Sequence, residues 1–205
     1  MSERKKKNNV IKRILQLLII VCLVLSAFFL YRYFDDINSQ YRNSEISLKK
    51  VTTILEKKTD IRKKDNKPLV GDPIGKITIE GLTGEMPIIE GADIKLAMAY
   101  GVGHIDFTPL PGTNTGQPAF SAHRETFFKA LKDAKVGDVV VVTMPYGTYK
   151  YKISKSMIVN PDEGAKVYNH SDMKSKERIA LITCYPFSAW SSPDKRIVFY
   201  ADLIE

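Results

Sequence analysis

Residues 14–30, ILQLLIIVCLVLSAFFL, are apolar but for Gln16 and Ser26, and no other feature limits this chain so sharply. Backbone N–H and C=O groups in a bilayer must be paired within the segment itself, so such a run is stable there only as a helix. About 17–25 residues suffice to cross. Six Lys/Arg precede it, at positions 4, 5, 6, 7, 12 and 13, and clusters of this kind stay on the cytoplasmic side. The rest of the chain is therefore expected outside. A cleaved signal peptide is the alternative, but the run exceeds an ordinary signal core, and the following FFLYRYFDD holds no small-x-small cleavage site. An uncleaved anchor over residues 14–34 is expected, with Tyr31, Tyr33 and Phe34 at the outer interface. Residues 1–13 then form a basic cytoplasmic tail.

The net charge of +8 invites a nucleic-acid reading, which its distribution removes. The tail carries six Lys/Arg against Glu3, and residues 14–72 carry ten against seven acids. Residues 73–205 balance at fifteen against fifteen. A neutral domain behind a membrane anchor has no electrostatic footprint for a phosphate backbone.

Residues 35–72 are polar and highly charged, with helical spacing of Ile46, Val51, Ile54 and Leu55 and then a solvated KKDNKP. They read as an extracytoplasmic stalk. From Pro73 the pattern turns to short runs divided by Gly, Pro and Asn: KITIE (76–80), MPIIE (86–90), QPAFSAH (117–123), DVVVVTM (138–144), TYKYKISKSMIV (148–159), RIALITC (178–184) and RIVFYADL (196–203). Helical turns are expected in ADIKLAMAY (92–100) and ETFFKALKD (125–133), the latter burying Phe127, Phe128 and Leu131. Seven or eight short strands in this length predict a mostly β domain, a closed or nearly closed barrel over residues 73–205, because closure removes exposed edges.

Two cysteines are present. Cys22 lies in the apolar span, which leaves Cys184 alone in the exported part, without an intrachain disulfide partner. It is an intermolecular bridge, an inert core residue or a reactive thiol. Of three histidines, His170 lies in a polar loop and His104 in GVGHIDF, whereas His123 ends the run QPAFSAH. Nucleophilic attack needs the thiolate, and a free cysteine with a pKa near 8.5 is mostly protonated at neutral pH. An adjacent imidazolium favours the thiolate and can hand its proton to a leaving amine. A tetrahedral intermediate then needs a fixed donor, which an arginine supplies. Residues 73–205 hold three arginines, Arg124, Arg178 and Arg196. Arg196 opens the last strand, where an antiparallel partner ending in Cys184 would meet it.

These residues resemble the sortases, membrane-anchored cysteine transpeptidases of Gram-positive bacteria. The family places its nucleophile in a Thr-Leu-x-Thr-Cys pattern, matched by ALITC (180–184) except at Ala180. Its histidine follows a strand in an Ala-Gly-His-Arg-like pattern, matched by SAHRET, with Ser121 and Ala122 departing. Its arginine opens the final strand, which is Arg196 here, and GVGHIDFTPLPG resembles a further recurrent segment that makes His104 part of the scaffold. The resemblance covers roughly 73–205. CYPF after the cysteine is similar to class D. Class C enzymes show a different continuation, an aromatic lid motif and a second, carboxy-terminal span, and no apolar span follows the last strand here. A housekeeping class A or a class E-like enzyme stands behind class D.

The resemblance implies a transpeptidase with Cys184 as nucleophile, His123 as acid and Arg196 as oxyanion donor, and with Ala122, Thr183 and Tyr185 contacting substrate. The implied partners are surface proteins bearing LPxT-type signals and the amine of a peptidoglycan precursor such as lipid II. The loop 161–178 would help shape the Leu-Pro pocket. No metal or cofactor is implied; some class A members bind calcium through clustered carboxylates, and no such cluster stands out here. LPGTN (110–114) mimics a sorting signal, but no apolar span and basic tail follow it, and Pro and Gly mark it as a turn. Two other exported cysteine enzymes fit less well. L,D-transpeptidases require a Ser-His-Gly-Cys type run, and NlpC/P60-like hydrolases place the cysteine before the histidine. A tethered, non-catalytic β-domain with a buried Cys184 is the remaining alternative.

Overall fold

The computed structural model describes residues 2–91, 97–113, 116–167, 177–188 and 192–205. His170 and the first half of the expected 92–100 turn lie outside the described residues. The chain divides into two compact units, Met1–Ser39 and Gln40–Glu205. The first consists of the amino-terminal part of helix α1 (Ser2–Lys57), whose apolar residues are exposed. It is long and apolar enough to cross a membrane.

In the second unit, eight strands close a barrel in the order β1-β2-β3-β4-β7-β8-β6-β5. They are β1 (Pro73–Ile79), β2 (Met86–Glu90), β3 (Val102–His104), β4 (Ala119–Ser121), β5 (Val139–Met144), β6 (Gly147–Val159), β7 (Arg178–Tyr185) and β8 (Lys195–Leu203). All pairings are antiparallel except β2 with β3 and β4 with β7. The expected mostly β, closed barrel is the fold found. The strand not expected is β3, three residues between Gly101 and Ile105, and it bridges β2 to β4. Without it the barrel would be open on that side.

Side chains alternate across the barrel wall. The interior holds Ile77, Ile79, Ile88, Phe120, Val140, Val142, Tyr151, Ile153, Ile179, Leu181 and Phe199, joined by Phe127, Phe128 and Leu131 from the segment after β4. A second, outer cluster forms from the opposite parity: Ala119 of β4, Ala180 of β7, Val198 and Tyr200 of β8, and Val159 of β6, capped by Val167 of the short α2 (Gly164–Val167). A register shift between Ile153 and Lys155 switches β6 from one cluster to the other, which is the local effect of a bulge.

The end of the barrel where β7 begins is held by a buried carboxylate. Glu177 is fully buried; it accepts from the Gly112 amide at 2.9 Å, the Thr113 hydroxyl at 3.2 Å and the Tyr151 phenol. Burial first, and the Glu177 charge beside it, push the Tyr151 phenol far above its ordinary pKa, so it remains a donor. Gly112 adopts φ +77°, and a Cβ there would lie 2.0 Å from the Tyr149 ring. The Pro111–Gly112 step is thus a required turn, bonded at the Pro111 carbonyl by Tyr146 and at the Gly112 carbonyl by Arg62.

The carboxy-terminal part of α1 is not a free stalk. Ser44, Ser47 and Val51 are buried, and beyond the helix Ile61 joins the barrel core. The two serine hydroxyls donate to the carbonyls of Tyr41 and Asn43 one turn back, which satisfies them without a partner on the barrel. Ile46, read from spacing as part of the apolar face, is exposed instead. Removing the phenol in Tyr151→Phe leaves buried Glu177 short of a donor. The expected loss is about 1–3 kcal/mol of unfolding free energy, seen as a lower urea midpoint at unchanged slope.

Candidate active site

Cys184 and Arg196 are register partners across β7 and β8. Residues directly opposite in an antiparallel pair share a face, and neighbouring pairs identify which one. Leu181 with Phe199 and Ile179 with Ala201 face inward, whereas Ile182 with Val198 and Ala180 with Tyr200 face outward. By alternation Cys184 and Arg196 stand on the outer face. Val159 of β6, paired with Arg196, extends the same row.

His123 reaches this row from the other side. β4 runs parallel to β7 with Ala119 opposite Ala180 and Ser121 opposite Ile182, and the Ala122 amide donates to the Ile182 carbonyl at 3.3 Å. Continuing that register by two residues sets His123 level with Cys184. The parity is also right, since Ala119 belongs to the outer cluster while Phe120 and Ala122 belong to the inner one. The three residues singled out in sequence therefore share one end and one face of the β4-β7-β8 sheet.

Cys184 and His123 are partly exposed. A thiol at the edge of a sheet, reachable by reagents, differs from a cysteine packed in a core. Arg196 is also partly exposed, and its Nη1 donates to the carbonyls of Pro193 at 3.0 Å and Lys195 at 2.9 Å. These bonds hold the guanidinium at the rim by one nitrogen.

The other two arginines have different surroundings. Arg178 is buried at the far end of β7, its Nε 2.8 Å from Asp202 on β8 and its guanidinium 5.6 Å from the Tyr200 ring centroid. Arg124, next to His123, is buried too. It donates through Nε to Glu125 at 2.6 Å and through Nη1 to the Pro186 carbonyl, two residues past Cys184. A buried charge of this kind ties the His123 and Cys184 segments together. The sequence signal for it was available, since Arg124 lies inside the quoted His-Arg pair.

Ala122 and Thr183 project inward. Both are buried, and the Thr183 hydroxyl donates to the Ala122 carbonyl at 2.7 Å, so the contact visible here is a clasp between β4 and β7. Tyr185 is partly exposed at the rim, 6.2 Å from Phe187 in an edge-to-face pair. His104 is buried with Nδ1 2.9 Å from Glu90 Oε2 and Nε2 3.1 Å from the Pro109 carbonyl. Both ring nitrogens lie on oxygen acceptors, so this imidazole joins β2, β3 and the following loop. Among the described residues no group of three or more His, Cys, Asp or Glu is arranged to hold a metal.

Thr183→Val keeps shape but loses the clasp, and Thr183→Ser keeps it. The valine variant is expected to be about 1 kcal/mol less stable than the serine variant, measured by thermal melting of the two side by side.

Comparison with known proteins agrees with this geometry. The sortase domain family matches residues 77–204. Sortase D of Bacillus subtilis is 34% identical over 134 residues, which span 65% of this chain and 65% of that relative's length. The Sortase D5 transpeptidase of Clostridium perfringens superimposes with a TM-score of 0.66 at 21% identity, over 80% of this chain and 99% of that one. Sortase C-1 of Actinomyces oris gives 0.57 at 26% identity, over 65% and 75%. A family match that takes in β2 through β8 and the whole Cys184, His123 and Arg196 row makes this chain a member of the sortase family.

Proposed function

We propose that this protein is a membrane-tethered cysteine transpeptidase of the class D type, with its barrel on the extracytoplasmic side of the membrane. The reading is supported by the pairing of Cys184 with Arg196 across β7 and β8 and by the β4–β7 register, which, continued two residues past Ser121, sets His123 level with them. The relative's name, Sortase D, and the transpeptidase of Clostridium perfringens with the same fold support it. The basic residues before the apolar stretch of α1 support the orientation.

The chemistry follows from the three side chains. Cys184 thiolate attacks the carbonyl carbon of the threonine in an LPxT-type signal, forming a C–S bond and a tetrahedral oxyanion. Arg196 donates an N–H to that oxygen; a planar, permanently charged fork suits a group whose charge develops only in the transition state. As the intermediate collapses, the C–N bond breaks and protonated His123 gives its proton to the departing amine. A thioester remains on Cys184. The amine of a peptidoglycan precursor, a lipid II type acceptor, then attacks the thioester, its proton passes to His123, and the thiolate leaves. The donor surface protein ends on the acceptor through a new amide.

Mass spectrometry of the full chain in detergent with a panel of LPxT-type peptides tests this, scored for a Cys184 thioester and for transfer to an added amine. Wild type is expected to show the adduct and Cys184→Ala none. An adduct or peptide cleavage that survives Cys184→Ala would refute the assignment. Arg196→Lys keeps the charge but not the fork, and turnover is expected to fall by about 10²–10³; near-normal turnover would remove Arg196 from the site.

A further inference from the structure

The segment after His123 is attached to two different things. Its backbone hangs from His123 itself, whose carbonyl accepts from the Thr126 amide at 3.4 Å and the Phe128 amide at 3.1 Å. Its side chains reach α1. The Thr126 hydroxyl donates to Gln40 Oε1 at 3.0 Å, across 86 residues of sequence. The Phe127 ring meets Tyr41 edge to face, with centroids 6.1 Å apart and planes at 67°. Thr126 and Phe127 are buried, whereas Tyr41 is half-exposed, so these contacts lie at the edge of the barrel surface.

The contact is narrow. Beside it a cleft of about 460 Å³ opens between Tyr41 and Ser44 of α1, the β1–β2 turn at residues 82–86, and residues 126–132. Phe127 and Phe128 pack into the barrel core, and on its outer side two of the groups that meet the 126–128 turn belong to α1. They lie ten and eleven residues beyond the apolar run that ends at Leu30.

We infer that Gln40 and Tyr41 of α1 are positioning residues for His123, acting through Thr126 and Phe127 on the turn that hangs from the His123 carbonyl. A shift of that turn moves the His123 Cα, and the imidazole with it, relative to the register that sets it level with Cys184. Displacements of about 1 Å cost up to about 10²-fold in rate at such sites. The helix thus does more than tether: its stretch past the apolar run orders the acid of the reaction. This inference rests on the reading of His123 as proton donor, and one of the readouts below does not need that reading.

The test uses the full chain in detergent micelles with the variants Gln40→Leu, Gln40→Glu and Thr126→Val. Glutamate keeps an acceptor for the Thr126 hydroxyl and leucine does not. Gln40→Leu and Thr126→Val are each expected to lower kcat about five- to tenfold with KM changed by less than about twofold. The double variant should be no worse than the weaker single one, because both remove the same bond. Gln40→Glu should restore turnover. In parallel, the His123 ring resonance, assigned by its loss in His123→Gln, is followed through a pH titration without substrate. Its shift and midpoint should move in Gln40→Leu and return in Gln40→Glu.

Wild-type turnover together with an unmoved His123 titration in Gln40→Leu would overturn the coupling. A Gln40→Glu chain as impaired as Gln40→Leu would overturn it as well. If Thr126→Val fails to fold by circular dichroism, the two Gln40 variants decide alone, since Gln40 is only partly buried on the helix. A wild-type chain that forms no acyl-enzyme would sink the transpeptidase reading instead, while the histidine titration still tests the link between α1 and His123.

Discussion

The pairing of Cys184 with Arg196 across β7 and β8 is a consequence of register, and register here is fixed by what lies along the rest of the two strands. Leu181, Phe199 and Ala201 must face the core, and Tyr200 must face the outer cluster. A slip by one residue would reverse every one of these assignments and send apolar side chains into water. The packing of residues remote from the rim thus selects a single pairing for the residues at it. The far end adds a polar lock of its own, since buried Arg178 forms an ion pair with partly exposed Asp202 between the same strands. The thiol and the guanidinium are neighbours because the hydrophobic effect and one salt bridge tolerate no other alignment.

The bulge in β6 extends this logic to a third strand. Before it, Tyr151 and Ile153 fill the barrel; after it, Met157 and Val159 turn to the outer cluster. One strand can therefore serve both the closed core and the outer face on which Cys184 stands. A barrel filled with Ile, Val, Phe and Tyr leaves only the outside of the wall open to a ligand. The outer row supplies a floor of β4, β7 and β8 with ionisable groups at one end.

Much of this was legible because short-range pattern and long-range burial agree. VVVVTM alternates as half-buried and buried along β5, and MPIIE is buried throughout along β2. The placement of the candidate residues was legible in chain order: β7 ends one residue past Cys184, β8 begins one residue before Arg196, and His123 lies two residues past β4. What escaped had no local pattern. The strand β3 has three residues, lies parallel to β2 and follows a glycine, so neither alternation nor turn chemistry announces it. The helix face that meets the barrel uses Ser44 and Ser47, whose polarity hides their burial, beside the expected Val51, while Ile46 is exposed. A sequence reading scores serine as solvated; a helix that returns the hydroxyl to its own carbonyls lets a serine approach a neighbour as closely as an alanine would.

The three arginines of residues 73–205 carry the same charge in different surroundings. Arg178 is locked by Asp202 and covered by Tyr200; Arg124 is locked by Glu125 and the Pro186 carbonyl. Freeing either buried guanidinium from its partners would leave a buried charge unpaired, which costs more than a new contact returns. Arg196 is bonded to backbone carbonyls at a partly exposed rim, where water can replace those bonds when the side chain turns. The two buried arginines brace the strands on either side, and that bracing is what leaves the third available to move.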